Sequence, residues 1–290
     1  VTPDIIIGHS GWGETLFVKD VYPDAPLLSY FEFFYHHAGV DADFDPEFPG
    51  TADDGGRLRM RNAINLLSFE STDWGNAPTK WQRNLYPPEM RPRISVLHEG
   101  IDTDAIRPDA NAWLQIDRGN LRLTAEDEVI TYVARNLEPY RGFHIFMRAI
   151  PEIQKRRPNA HILIVGGDEV SYGCALPGGQ TYRAKMLSEM GGRIDTSKVH
   201  FLGQLPYDTY LSVLQISSAS CSTQPGFGKY CVNSFWETPT ILELRSKMMA
   251  RLDVVPASRA ITYCFAMLKT SFYCVFLNNY FWRKESPRSP

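Results

Sequence analysis

Cysteine is scarce in this chain and gives it no framework: five residues in 290, at no even spacing that would suggest disulfide pairs. Cys221/Cys231 and Cys264/Cys274 are each ten positions apart, unlike the short steps between zinc ligands. Excess positive charge is missing too. The formal net charge is −3, which weighs against nucleic acid as the main partner. The opening Val1-Thr-Pro-Asp4 has neither the charged n-region nor the long apolar stretch of a signal peptide, so a cytoplasmic location is expected. It also lacks a starting Met, which reads as a fragment. Long apolar runs are absent. The richest stretch, Ala260–Leu268 then Ser271–Trp282, is broken by Lys269 and closes near Asn278-Asn279. A membrane span needs about 20 apolar residues, so none is expected, while peripheral attachment at the inner face of a membrane stays open. Asp41-Ala-Asp-Phe-Asp45 lacks the turn glycine and terminal glutamate of a calcium loop, and no metal is expected.

What the chain does have is a body large enough for two cores. It is 43% hydrophobic and 22% charged, and at this length two domains are the natural expectation. Its most telling stretch is Val133-Ala-Arg-Asn-Leu-Glu-Pro-Tyr-Arg141-Gly142. Val129–Val133 reads as a strand, and Phe143–Gln154 carries helical apolar spacing. The link between them sets two permanent cations, Arg135 and Arg141, at a strand's C-terminal end beside a helix N-terminus. Phosphates bind there in α/β sheets, because helix-end N–H groups point outward and guanidiniums add bidentate partners. The alternative is a solvated loop whose arginines pair with surface acids.

From residue 1 to 219, β and α segments alternate. Asp4–Gly8 and Pro26–Tyr30 read as strands, with one helical turn between them over Thr15–Val21. Asp53–Ser71 reads as a helix whose apolar face is Leu58, Ala63, Ile64, Leu66, Leu67 and Phe69. Thr79 is a fitting N-cap for a helix over Lys80–Leu85, which Pro87-Pro88 stops. Arg93–Leu97, His161–Val165 and Val199–Gly203 complete the strands. Such alternation implies parallel sheets with right-handed crossovers. The run Lys155-Arg156-Arg157 follows a helix, where cations suit the dipole. His36-His37 reads as a solvated loop.

Arg135-Asn-Leu followed by Tyr140-Arg141-Gly142 resembles the donor-phosphate loop of retaining glycosyltransferases of family 4. In that loop an Arg, and a Lys just before a Gly, hold the diphosphate of a nucleotide sugar. Arg141 stands where the Lys is usual, keeping charge but changing geometry. Ser95–Asp104, containing Glu99-Gly100-Ile-Asp102, resembles the segment that ends the family's first domain. Val165-Gly166-Gly167-Asp168 and Val199-His-Phe-Leu-Gly203-Gln204 follow in family order. His9–Glu14, Tyr30–Tyr35 and Pro78–Gln82 resemble a bacterial subgroup of these transferases. The likeness covers roughly residues 3–219.

This resemblance implies two facing Rossmann-like domains, the GT-B arrangement. A first, incomplete, acceptor-side domain would span 1–104 and a nucleotide-sugar-binding domain 105–219. It implies Arg135, Arg141 and Gly142 at the donor diphosphate, and Gly166, Gly167, Gly203 and Gln204 at the nucleotide. Trp12 and Glu14 would line the acceptor pocket. Catalytic candidates are His9 and Glu32. The histidine that follows the second strand in many relatives is absent, and Glu32 is the nearest polar residue. Glu32 would orient a sugar hydroxyl or help deprotonate the acceptor, with a capping or ion-paired carboxylate as the plain alternative. His9 has a structural alternative, and Trp12 has one as core filler. No cofactor or catalytic metal is implied, only a nucleotide-sugar donor and a sugar or lipid-linked acceptor in polysaccharide or glycolipid assembly. A nucleotide-binding remnant without turnover and a sugar-nucleotide epimerase remain open beside the transferase.

The tail departs from this pattern. After Ser217-Ser-Ala219 the family continues with a strand and a helix bearing two glutamates eight positions apart, whereas Glu237 and Glu243 are six apart. Residues 221–290 hold nine basic and four acidic residues, leaving 21 basic and 29 acidic elsewhere. Residues 220–290 therefore read as a frameshifted or mispredicted segment rather than a further domain.

Overall fold

The computed structural model describes residues 3–40, 42, 43, 45–100, 102, 106–116 and 121–221, and the backbone of the pair Cys264–Phe265. Contacts between Cα atoms divide the chain into a unit over Val1–Gly100 and a second from Ile101 onward. The expected α/β class, with Rossmann-like parallel sheets, is found in both.

In the first unit, β1 (Ile6–His9), α1 (Val18–Val21), β2 (Leu27–Tyr30), α2 (Ala52–Ser71), β3 (Trp74–Ala77), α3 (Lys80–Leu85) and β4 (Ile94–Val96) follow one another. The four strands form an all-parallel sheet in order β1-β2-β3-β4. Phe31, Ala77, Tyr86, Met90 and Ile94 build its core, with Phe34 and Phe69 against them. Thr79 caps α3 as expected, its hydroxyl accepting the Gln82 N–H at 3.1 Å. Asp54 holds the start of α2, taking the Thr51 N–H at 2.6 Å and the Thr51 hydroxyl at 3.0 Å. These bonds and the neighbouring Arg57 bring its carboxyl down to about 2. His36 is less free than expected, with its Nε2 2.9 Å from the Leu85 carbonyl.

Helix α2 corrects the sequence reading. Leu66 and Leu67, expected in the core, are 48% and 61% exposed. The buried face is Leu58, Asn62, Asn65 and Ser68. Helical spacing is kept, but three of the four inward residues are polar, because they meet irregular backbone rather than a sheet face. Asn62 accepts the Tyr35 N–H and donates to the Tyr35 carbonyl, both at 2.8 Å. Asn65 donates to the Phe33 carbonyl at 3.0 Å and accepts the Ser10 hydroxyl at 2.9 Å. Ser68 donates to the Ser10 carbonyl at 2.9 Å. Buried backbone must find partners, and here side chains supply them.

In the second unit β5 (Trp113–Ile116) and β6 (Leu121–Thr124) form an antiparallel hairpin that the sequence reading missed. Then come β7 (Val129–Asn136), α4 (Phe143–Arg156), β8 (His161–Gly167), α5 (Tyr182–Met190), β9 (Val199–Gly203), α6 (Tyr207–Ile216), β10 (Ala219–Cys221) and β11 (Cys264–Phe265). The sheet order is β11-β10-β7-β8-β9, parallel except for β11. A short strand, β10, begins at Ala219, where the family pattern also continues with a strand. Leu114, Ile116 and Leu123 of the hairpin pack with Val129, Leu163, Val165, Val213 and Ile216. Helix α4 buries Phe143, Phe146, Met147 and Ile150, the i, i+3, i+4, i+7 stripe that its spacing predicts. At its end Arg156 pairs with Glu152 at 2.6 Å and Arg157 pairs with Glu128, so the basic run is structural. No described helix is long and apolar enough to cross a membrane. The side chains of Ala260–Trp282, and Glu237 and Glu243, lie outside the described residues.

Candidate functional site

In each unit the candidate residues collect at the C-terminal ends of parallel strands, where loops are free to vary and helix N-termini converge. In the first unit His9 is the last residue of β1 and aligns with Tyr30, the last of β2. Its Nδ1 accepts the Gly11 N–H at 3.1 Å, and its Nε2 lies 2.9 Å from Glu32 Oε2. An Nδ1 that accepts carries no proton, so the imidazole hydrogen sits on Nε2 and is donated to Glu32. Trp12 stacks on the imidazole at 4.2 Å, and the His9 N–H reaches Glu14 Oε1 at 3.4 Å. All four acceptor-side and catalytic candidates, His9, Trp12, Glu14 and Glu32, therefore meet. Ser10 pins the loop from beneath, donating to the Tyr30 carbonyl and to Asn65.

One member of this group escaped the sequence reading. The Tyr30 hydroxyl donates to Glu99 Oε1, and burial raises the Glu99 carboxyl above its ordinary value. Glu99 lies in the segment that resembles the end of the family's first domain, but nothing in its spacing points to Tyr30.

In the second unit the chain runs β7-β8-β9 to one side, then returns through α6 to place β10 on the other side of β7. Strand order reverses at β7, and open α/β sheets bind ligands at such a reversal. Arg135 is the penultimate residue of β7 and is half-buried. Pro139–Arg141 form a single 3-10 turn, and Gly142, at φ +70°, joins it to α4 with its N–H donated to the Pro139 carbonyl at 2.7 Å. That positive φ favours glycine. The Arg141 guanidinium lies over the Tyr172 ring, 4.8 Å from its centre, and Tyr140 stacks on the same ring at 5.3 Å.

Gly166 and Gly167 end β8 against this loop. A Cβ on Gly166 would stand 2.7 Å from the Ala134 carbonyl, and one on Gly167 would stand 2.5 Å from Asn136 Oδ1 and 2.9 Å from Gln204 Nε2. The approach that demands glycine is at Gly166, where φ is +155° and the neighbour is β7 backbone, while at Gly167 the neighbours are side-chain ends that can shift. Gly203 closes β9 at φ +67°. Asp168 pairs with Arg183 at 2.5 Å. A separate cavity of about 440 Å³ is lined by Gln115, Ile116, Thr196 and Val199–Leu202 among others, and none of the expected donor residues borders it.

Glu138 was also missed. It is fully buried, and its Oε2 accepts the N–H groups of Ser171, Tyr172 and Gly173 at 3.2, 3.2 and 2.9 Å. A lone acid between two arginines was the available signal.

Residues 1–106 match the model of the Glycosyl transferase family 4 group, and residues 115–233 that of the Glycosyl transferases group 1. A GDP-mannose-dependent alpha-(1-6)-phosphatidylinositol monomannoside mannosyltransferase of Mycolicibacterium smegmatis is 26% identical over 111 residues, 38% of this chain and 26% of the relative. Sucrose-phosphate synthase from Thermosynechococcus elongatus superposes with TM-score 0.50 at 18% identity, over 75% of this chain and 49% of that one. An alpha,alpha-trehalose-phosphate synthase (UDP-forming) from Burkholderia vietnamiensis gives 0.50 at 11% identity, over 77% and 52%. At these identities the two structures share a fold with this chain. It spans about a quarter of the curated relative's length and about half of theirs.

Proposed function

From a chain that belongs to the family 4, group 1 glycosyltransferases, we propose an enzyme that moves a sugar from a nucleoside-diphosphate donor to an acceptor hydroxyl. Transfer proceeds with retention, without a metal, at the cytoplasmic face of a membrane, in polysaccharide or glycolipid assembly. The donor-side residues are Arg135, Arg141 and Gly142, with Gly166, Gly167, Gly203 and Gln204 toward the nucleotide. The observation that carries this reading is Arg135 at the end of β7 and Arg141 in the turn that follows it, both where the strand order reverses. Departure of a diphosphate concentrates negative charge on its oxygens, and fixed cations already in place stabilise it without reorganisation.

On the acceptor side Glu32 takes the hydroxyl proton, and His9, donating from Nε2, holds the carboxylate in place. Trp12 offers a face for a sugar ring, and Glu14 a hydrogen-bond acceptor. GDP is the first nucleotide to test, because the curated relative is GDP-mannose-dependent, and UDP is the comparison.

Calorimetric titration of the full chain with GDP and UDP tests the donor site. Arg135→Ala is expected to weaken diphosphate binding by roughly 1.5–3 kcal/mol, the range for a hydrogen bond to a charged group. Unchanged affinity in that variant overturns the phosphate-loop assignment.

A further inference from the structure

The feature of the second unit that the proposed chemistry does not yet use is Glu138. A fully buried carboxylate needs compensation, and here three backbone N–H groups from one short loop converge on a single oxygen. Oε1 is enclosed as well and has no hydrogen-bond partner among the described residues. A fold that leaves one carboxylate oxygen bare to keep the other in place is spending stability on position.

The main chain of the same residue points the other way. The Glu138 carbonyl accepts the Arg141 N–H at 3.1 Å and the Phe143 N–H at 3.3 Å, fixing the turn that presents Arg141 and the first residue of α4. Glu138 thus holds the Arg141 turn by its backbone and the 171–173 loop by its side chain. The two arms meet again where the Tyr172 ring lies beneath the Arg141 guanidinium. Asn136 adds a parallel tie, donating to the Ser171 hydroxyl at 2.7 Å.

We propose that Glu138 is a positioning residue for donor binding: through the three N–H groups it sets Tyr172, and Tyr172 sets the direction of the Arg141 guanidinium. The proposal rests on the donor-loop reading above. Without the carboxylate the 171–173 loop loses its anchor, and Arg141 keeps its charge but not its direction. A guanidinium grips a diphosphate bidentately only when its plane is oriented, so affinity falls although no contact to ligand has been removed.

A double-mutant cycle on the full chain, read by calorimetric titration with GDP and UDP, tests this. Glu138→Ala and Tyr172→Ala are each expected to lower affinity about tenfold, near the upper range for an oriented cation–π contact. Because both act through the same guanidinium, the double variant is expected to be no weaker than the weaker single one. Glu138→Gln keeps one oxygen for the three N–H groups and is expected to recover part of the loss. Tyr172 is 55% exposed, so Tyr172→Ala spares the core and carries the test even if Glu138→Ala does not fold. Losses that multiply in the double variant overturn the proposal. So does unchanged affinity in Tyr172→Ala while Arg135→Ala weakens binding. If Arg135→Ala has no effect, or the wild-type chain binds neither nucleotide, the donor-loop reading falls and takes the proposal with it.

Discussion

Glu99 is a residue whose environment sets a demand on pH. Burial raises its carboxyl above the ordinary 4.5, so the folded chain binds its proton more tightly than the unfolded chain does. The stability it contributes is therefore full below that ordinary value and is lost as pH rises through the folded value. Replacing the carboxyl by an amide that never ionises removes the burial penalty on the charged form, and the glutamine oxygen can still accept the Tyr30 hydroxyl. Glu99→Gln is expected to raise the melting temperature at pH 7, with the gain vanishing as pH falls below 4.5. A variant that melts lower than wild type at pH 7 would show that the carboxylate is held by something stronger than its surroundings suggest. At this scale the sequence was informative about identity and poor about contact. His9, Trp12, Glu14 and Glu32 could be named because they lie beside motifs at strand ends. Glu138 and Glu99 could not, since their partners are a loop 33 positions away and a strand end 69 positions away in the chain.

Among the elements, α2 separates two ways of burying a helix. Asn62 satisfies both backbone groups of Tyr35, and truncating it orphans a donor and an acceptor, each costing roughly 1–3 kcal/mol. Leu66 faces water, and surface substitutions stay within about 0.5 kcal/mol. Urea denaturation should therefore find Asn62→Ala strongly destabilising and Leu66→Ala nearly silent, the reverse of what apolar periodicity predicts. Equal or inverted costs would mean that the asparagine bonds contribute little. The period of α2 was legible because backbone geometry imposes it whatever the residue types. The inward face was not, because it depends on what lies beneath. Strands β2, β7, β8 and β9 and helix α4 were readable for the converse reason, since they pack on regular surfaces where apolar pattern and burial coincide, whereas β3 and β10 were not named. The β5–β6 hairpin was missed although Leu114 and Ile116, and Leu121 and Leu123, alternate with polar or exposed neighbours as in a half-buried strand.

On the scale of the whole molecule, two mainly parallel sheets each gather their candidate residues at strand C-termini, and among the described residues each is open at both ends. In the first unit the end strands are β1 and β4, and among the described residues β1 pairs with β2 alone. Ile7, on β1, is 68% exposed and Ile5 just before it 52%. An open edge with apolar side chains templates pairing with other chains. Light scattering is expected to show concentration-dependent association that Ile7→Lys reduces, and a wild-type chain that stays monomeric at the same concentrations would refute this. The way α2 grips its loops bears on how such a molecule can change over generations. Asn62 and Asn65 read the main chain of Tyr35 and Phe33, not their side chains. Those backbone bonds are blind to residue type, so they survive substitution at positions 33 and 35 even where the ring contacts to Trp81 and Arg61 are lost. The surface that this loop presents can therefore vary by substitution while the hydrogen bonds that set its path are inherited intact.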